Sequence, residues 1–209
     1  MKEKKNALLI VDVQNDFCPG GKLAVKDGHK VIPIIESISH KFFKRIATQD
    51  WHPRDHISFA VNHRDKKEYD LIEAPYGKQV LWPVHCVAGT KGADFHPDLD
   101  RKNIDLIIRK GTDRMIDSYS TFMENDKHTP TGLEGYLKTL GISRVFLTGL
   151  ATDYCVLFSS LDAKAKGFEA FVIIDACRGV NVPEKNIEKA LDLMKKNGIH
   201  IIESSGLKP

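Results

Sequence analysis

Residues 7–13 read ALLIVDV, five apolar side chains in succession, then a carboxylate, then another valine. A run without polar alternation is a strand covered on both faces, the habit of parallel sheets flanked by helices. Residues 46–48, 104–108, 145–148, 171–174 and 199–202 are of the same kind. Helical patterns lie between them. Residues 31–43 carry an apolar stripe at Ile34, Ile35, Ile38 and Phe42, with Pro33 tolerable in a first turn. Thr131 and Glu134 have capping-box spacing, and Gly141 closes that helix. A further helix runs from about Asp153 to Gly167, and the last has Pro183 near its start and Gly198 past its end. This alternation predicts an α/β fold: a doubly wound, mostly parallel sheet with helices on both faces, formed by residues 1–209 as a single domain.

Composition narrows the function. The 209 residues are 42% hydrophobic and 28% charged, which excludes a disordered chain, a collagen-like repeat and a disulfide-rich miniprotein. The net charge is only +3, with basic and acidic residues interspersed, so no cationic stripe points to nucleic acid. Lys2, Lys4 and Lys5 precede an apolar run that Asp12 interrupts, too short for a secretion signal or a membrane span. The four cysteines, Cys18, Cys86, Cys155 and Cys177, lack CxxC spacing, which argues against a zinc knuckle or a redox pair. A reducing cytoplasm is the expected compartment, with no membrane partner. The oligomeric state is left open, a homo-oligomer included.

In an open parallel sheet, ligands bind beyond the carboxyl ends of the strands. Read in order, those ends carry Asp12, then Asp50 with His52, then Lys110, then Cys155 one turn after the fourth strand. A carboxylate such as Asp12 at the end of a buried strand needs a partner, and Lys110 offers the counter-charge. Cys155 follows GLATDY at the start of a helix, where amides, the helix dipole and a nearby Lys110 are expected to lower a thiol pKa. Asp50 and His52, two apart in an extended segment, point to one side and can grip a divalent ion. His85 in LWPVHC is the third candidate, and His56 is a fourth ligand or a supporting group. Residues 53–98 and 111–130 are long and aperiodic, as functional loops are.

The segments VDVQNDFCPGG, TQDWHPRDHISFA, LWPVHCVAGTKGADFHPDL, RKGTDRMIDSYSTF and TGLATDYCV closely resemble nicotinamidases of the isochorismatase-like hydrolase superfamily, in order over roughly residues 7–182. The resemblance implies hydrolysis of nicotinamide to nicotinate and ammonia, with acceptance of pyrazinamide and a role in NAD salvage. It implies a catalytic trio at Asp12, Lys110 and Cys155, passing through a thioester. It implies a divalent metal at Asp50, His52 and His85; zinc suits such ligands best, and iron or manganese also fit. Backbone amides of Ala151 and Cys155, around a cis peptide at Leu150–Ala151, would form the oxyanion hole, and Phe17 and Trp82 would sandwich the pyridine ring. Whether the metal orients substrate or activates water stays open.

Three rival activities account for fewer of these residues. Isochorismate hydrolysis cleaves a vinyl ether and needs no thiol. N-carbamoyl amide hydrolysis has less use for the DxH…His set. A phosphoryl-accepting receiver module also gathers Asp12, Asp16, Asp50 and Lys110 at strand ends, but it gives His52, His85 and Cys155 no task.

Overall fold

The computed structural model describes residues 5–207; Lys2 and Lys4, weighed above as a signal flank, lie outside them. The chain runs β1 (Lys5–Val11), α1 (Val31–Ser39), β2 (Lys44–Asp50), β3 (Leu71–Ala74), β4 (Gly77–Val80), β5 (Leu106–Lys110), α2 (Leu133–Thr139), β6 (Ile142–Leu150), α3 (Leu157–Ala165), β7 (Glu169–Arg178), α4 (Asn186–Lys196) and β8 (His200–Ile202). Six strands form one sheet in the order β5-β2-β1-β6-β7-β8, every neighbouring pair parallel. The order grows outward from β1 in one direction and from β6 in the other. The chain therefore reverses between β1 and β6, and that is where such sheets open a crevice.

The central strand shows why an unbroken apolar run was needed. Leu8 and Ile10 face the layer built by Ile32, Ile35 and Ile38 of α1. Ala7, Leu9 and Val11 face Leu133 and Leu137 of α2, Ala163 of α3 and Met194 of α4. Leu8 and Leu9 are fully buried, and each such side chain contributes about 1.5–3 kcal/mol relative to exposure. The doubly wound reading is correct.

Several local expectations need correction. β1 ends at Val11, not at residue 13, because Asp12 turns to φ 49, a left-handed conformation that Asp tolerates better than most residues. The capping box forms only in part: Thr131 Oγ1 accepts the Leu133 amide at 3.3 Å, but Glu134 reaches Lys138 and Lys166 instead of turning back. The helix expected from Asp153 opens as a wide π turn, Thr152–Val156, before α3 begins. Pro183 stands ahead of α4, which starts at Asn186 after Lys185 adopts φ 66. Residues 53–98 also contain a hairpin, β3–β4, that periodicity did not reveal because almost none of it is buried.

Close approach at the crevice depends on Gly149 in β6. It has φ 103, and a Cβ there would overlap the Val11 carbonyl oxygen. Gly149→Ala should lose about 2–5 kcal/mol from backbone strain and overpacking together. Thermal denaturation should show a midpoint lower by roughly 4–20 °C for a chain of this length; an unchanged midpoint would refute the packing argument.

Candidate active site

The ends of β1, β2 and β5 and the turn after β6 deliver two carboxylates, an ammonium and a thiol to one point. Lys110, the last residue of β5, is fully buried. Its Nζ contacts Asp12 Oδ2 at 2.9 Å, Cys155 Sγ at 3.4 Å and the Ser118 carbonyl at 2.9 Å, and it bonds Asp50 Oδ1. Asp12 is anchored from β2, where Thr48 Oγ1 donates to Asp12 Oδ1 at 2.6 Å and accepts the Asp12 amide at 3.2 Å. The Asp12 carboxylate, the Asp50 carboxylate and the Cys155 sulfur lie within 4.8 Å of one another. A desolvated ammonium is tolerable here because two carboxylates face it.

Protonation follows from this packing. Burial works against the Lys110 cation, but Asp12 and Asp50 outweigh it and raise its pKa well above the usual range. Burial, reinforced by the Asp50 charge, raises Asp12 against the pull of Lys110. The Cys155 thiol is raised too, not lowered as the sequence suggested. Complete burial is the main cause, Asp12 and Asp50 add to it, and Lys110 only partly offsets them. The resting group is therefore a thiol beside a carboxylate whose proton affinity has been increased.

A second cluster lies on the other side of Asp50. His52 Nδ1 donates to the Gly111 carbonyl at 2.8 Å, and His85 Nδ1 donates to the Pro83 carbonyl at 2.8 Å. Each ring is thus tied to the backbone through Nδ1 and turns its Nε2 toward Asp50, the arrangement common to metal-binding histidines. The two Nε2 atoms stand 3.6 and 3.9 Å from Asp50 Oδ2, and His52 Nε2 is buried without a hydrogen-bond partner. Burial, with His52 alongside, pushes His85 down to about 4, so its imidazole is neutral. Burial works against the His52 cation, but Asp50 outweighs it and raises its pKa. Two imidazoles, one with its Nε2 unpartnered, and a carboxylate oxygen fit a divalent cation.

His56 does not join that trio. Its ring stacks on His52 with centroids 4.1 Å apart, Nδ1 meets Ser58 Oγ at 2.7 Å, and Nε2 meets the Ile116 carbonyl at 3.2 Å. Among the described residues it could converge on an ion only with His52 and Asp117. These contacts hold the ring in place, because the turn at residues 56–58 folds Ser58 back onto it.

Other residues that hold the site escaped the sequence reading. Phe59 is fully buried and sets its ring edge-on to His52, His56 and His85, with centroids 5.5–5.6 Å away. Gln14 clamps the backbone of Asp50, donating to its carbonyl at 2.8 Å and accepting its amide at 2.9 Å. Asp16 accepts the Cys86 amide at 2.7 Å and so fixes the loop that carries His85. Gly111, at φ 62, leaves room for the His52 ring that any Cβ would strike. Both Gln14 and Asp16 sit inside VDVQNDF, and their polarity between buried neighbours was the available signal. Cys18, Cys86 and Cys177 are buried, and Cys86, though next to His85, enters no metal-binding group among the described residues.

A pocket opens onto both clusters. Cys155, Ala151, Asp50 and His85 face it, with Phe17 and Trp82 among its walls as expected and Asp117, Tyr119 and Tyr154 in addition. The Leu150–Ala151 peptide at its edge is cis.

The sequence pattern of the isochorismatase domain matches residues 6–205. The chain belongs to the isochorismatase family. Within that family it is 50% identical over 208 residues to the nicotinamidase of Acinetobacter baylyi, covering 99% of this chain and 97% of that one. A solved nicotinamidase/pyrazinamidase structure from Acinetobacter baumanii superposes with a TM-score of 0.96 at 49% identity, covering all of both chains. The pyrazinamidase of Pyrococcus horikoshii, solved in complex with zinc, gives 0.76 at 36% identity over 95% of this chain and 99% of that one.

Lys110→Met tests the charge cluster. Removing the cation leaves two buried carboxylates facing each other, so denaturant titration should show a loss of about 3–5 kcal/mol. Lys26→Met, at an exposed position, should stay within about 0.5 kcal/mol. Equal stabilities for the two variants would mean that Lys110 does not bind the cluster together.

Proposed function

We propose that this protein is a nicotinamidase that hydrolyses nicotinamide to nicotinate and ammonia through a cysteine thioester, accepts pyrazinamide as well, and serves NAD salvage. The observation that carries the reading is the contact of one buried Lys110 with Asp12, Asp50 and Cys155 on the floor of an aromatic-walled pocket. The relatives named above support the choice of substrate.

The chemistry follows from the protonation states. Asp12 takes the proton from Cys155 as its sulfur attacks the carboxamide carbon, and Lys110 stabilises the sulfur anion as it forms. The amides of Ala151 and Cys155 receive the negative oxygen of the tetrahedral adduct. As the C–N bond breaks, Asp12 passes its proton to the leaving nitrogen, and ammonia departs from a thioester. Water then attacks that carbonyl, Asp12 accepts its proton, the C–S bond breaks, and the thiol is restored as nicotinate leaves. A base is required throughout because the resting thiol is neutral.

Asp50, His52 and His85 would hold the divalent ion, zinc in this reading, which supplies positive charge for polarising or orienting bound groups. Phe17 and Trp82 would confine the ring, so that the amide meets Cys155 in a reactive orientation. The four free cysteines suit a cytoplasmic enzyme. None of the described helices is long and apolar enough to cross a membrane.

The decisive assay is ammonia release from nicotinamide. Cys155→Ala should retain bound metal yet lose at least about 10³-fold in kcat, as expected when a covalent nucleophile is removed; substantial residual turnover would rule out the thioester route. His52→Ala should lose both metal, measured by elemental analysis, and hydrolysis. Chelation of the parent protein should likewise remove both, and full activity without metal would overturn the assignment of Asp50, His52 and His85.

A further inference from the structure

The strands of the hairpin β3–β4 are exposed or half-buried at every position but one, and that fully buried residue is polar. Leu71, Glu73, Gly77 and Lys78 are exposed, Ile72, Ala74 and Val80 are half-buried, and only Gln79 is buried. A buried amide is retained only where its donors and acceptor are matched. Gln79 Oε1 accepts from the Tyr76 hydroxyl at 3.0 Å. Its two Nε2 hydrogens are shared among three acceptors, Asp117 Oδ2 at 2.6 Å, the Val80 carbonyl at 2.7 Å and the Tyr119 hydroxyl oxygen at 3.1 Å. The Asp117 amide returns to the Tyr76 oxygen at 3.2 Å, which closes a ring of hydrogen bonds between the hairpin and residues 117–119. Reversing the amide would set its oxygen against the Asp117 carboxylate, so its orientation is determined.

This ring ends on the pocket wall. The Trp82 indole N–H donates to the same Tyr119 oxygen at 3.0 Å, and the edge of the indole meets Tyr154 with centroids 4.8 Å apart. Asp117, Tyr119, Tyr154 and Trp82 all line the pocket, whereas Gln79 lies behind them. Neither Trp82 nor Gln79 can accept a hydrogen bond through the nitrogen it presents, so both hold Tyr119 as an acceptor. The tilt of the indole is thereby tied to an amide outside the pocket.

We propose that Gln79 is a positioning residue for aromatic substrates: through Asp117 and Tyr119 it sets the angle of the Trp82 wall, so the exposed hairpin governs how tightly the ring of the substrate is held. The inference rests on the nicotinamidase reading for its substrate, while the geometry it concerns can be measured without turnover. Gln79→Met keeps length and volume and removes only the hydrogen bonds, which separates positioning from space filling.

In the holoenzyme, Gln79→Met should raise KM for nicotinamide about tenfold, the scale of one buried hydrogen bond left unmade, with the rise in KM exceeding any fall in kcat. Alkylation of Cys155 by iodoacetamide, which has no ring to hold, should proceed at the parent rate. The protein has two tryptophans, so the Trp82 indole N–H resonance should shift while that of Trp51, stacked under Arg109, stays in place. An unchanged KM and indole resonance would overturn the proposal, and so would a fall in kcat matched by slower alkylation, the mark of a generally disturbed site. If the parent protein releases no ammonia from nicotinamide, the functional reading fails, and the indole resonance alone then decides whether Gln79 controls the wall.

Discussion

A single ammonium with no access to water organises this protein. Lys110 is drawn into the sheet by β5 and held there by Asp12 and Asp50, the terminal groups of two neighbouring strands. An unpaired cation at this depth would be several kcal/mol too unfavourable to persist, and so would the two carboxylates without it. The three strand ends must therefore stay in register, and the interaction links the sheet's alignment to its chemistry. Asp50 is shared between Lys110 through Oδ1 and the two histidines near Oδ2, so the thiol cluster and the metal-fitting cluster are parts of one charge arrangement.

That arrangement explains why the thiol is not poised as an anion. Sulfur at the start of a helix beside a lysine looks activated when only its neighbours in sequence are considered. In the folded chain it is buried with two carboxylates within 4.8 Å, and burial, with their help, outweighs the cation. The same burial makes Asp12 a better proton acceptor. A carboxylate with increased proton affinity suits a group that must take up and return one proton at successive steps.

Support for the site is layered. Gln14, Asp16 and Phe59 touch backbone or ring edges and leave the reactive atoms free, and Gly111 contributes by having no side chain. Their work is angular: they orient Asp50, the His85 loop and the imidazoles. Residues 53–98 and 111–130, which looked shapeless, provide most of this support through the Phe59 turn, the hairpin and the Asp117–Tyr119 segment.

What could be read from the chain alone was whatever depends on local pattern. Unbroken apolar runs gave the buried central strands but overstated the cover of β5 and β8, which lie at the sheet edges and are partly exposed. Asp12, Asp50 and Lys110 were visible because a charged residue closing such a run is conspicuous. Order across the sheet, the His52 and His85 tautomers, the stacking of His56 away from the trio and the direction of the Cys155 pKa shift belong to the tertiary structure. Gln79 and Phe59 were invisible for the same reason: their stretches show neither helical nor strand periodicity. Periodicity is a property of neighbours along the chain, whereas desolvation and charge balance sum over everything packed around an atom, and those contacts come from segments far apart in sequence.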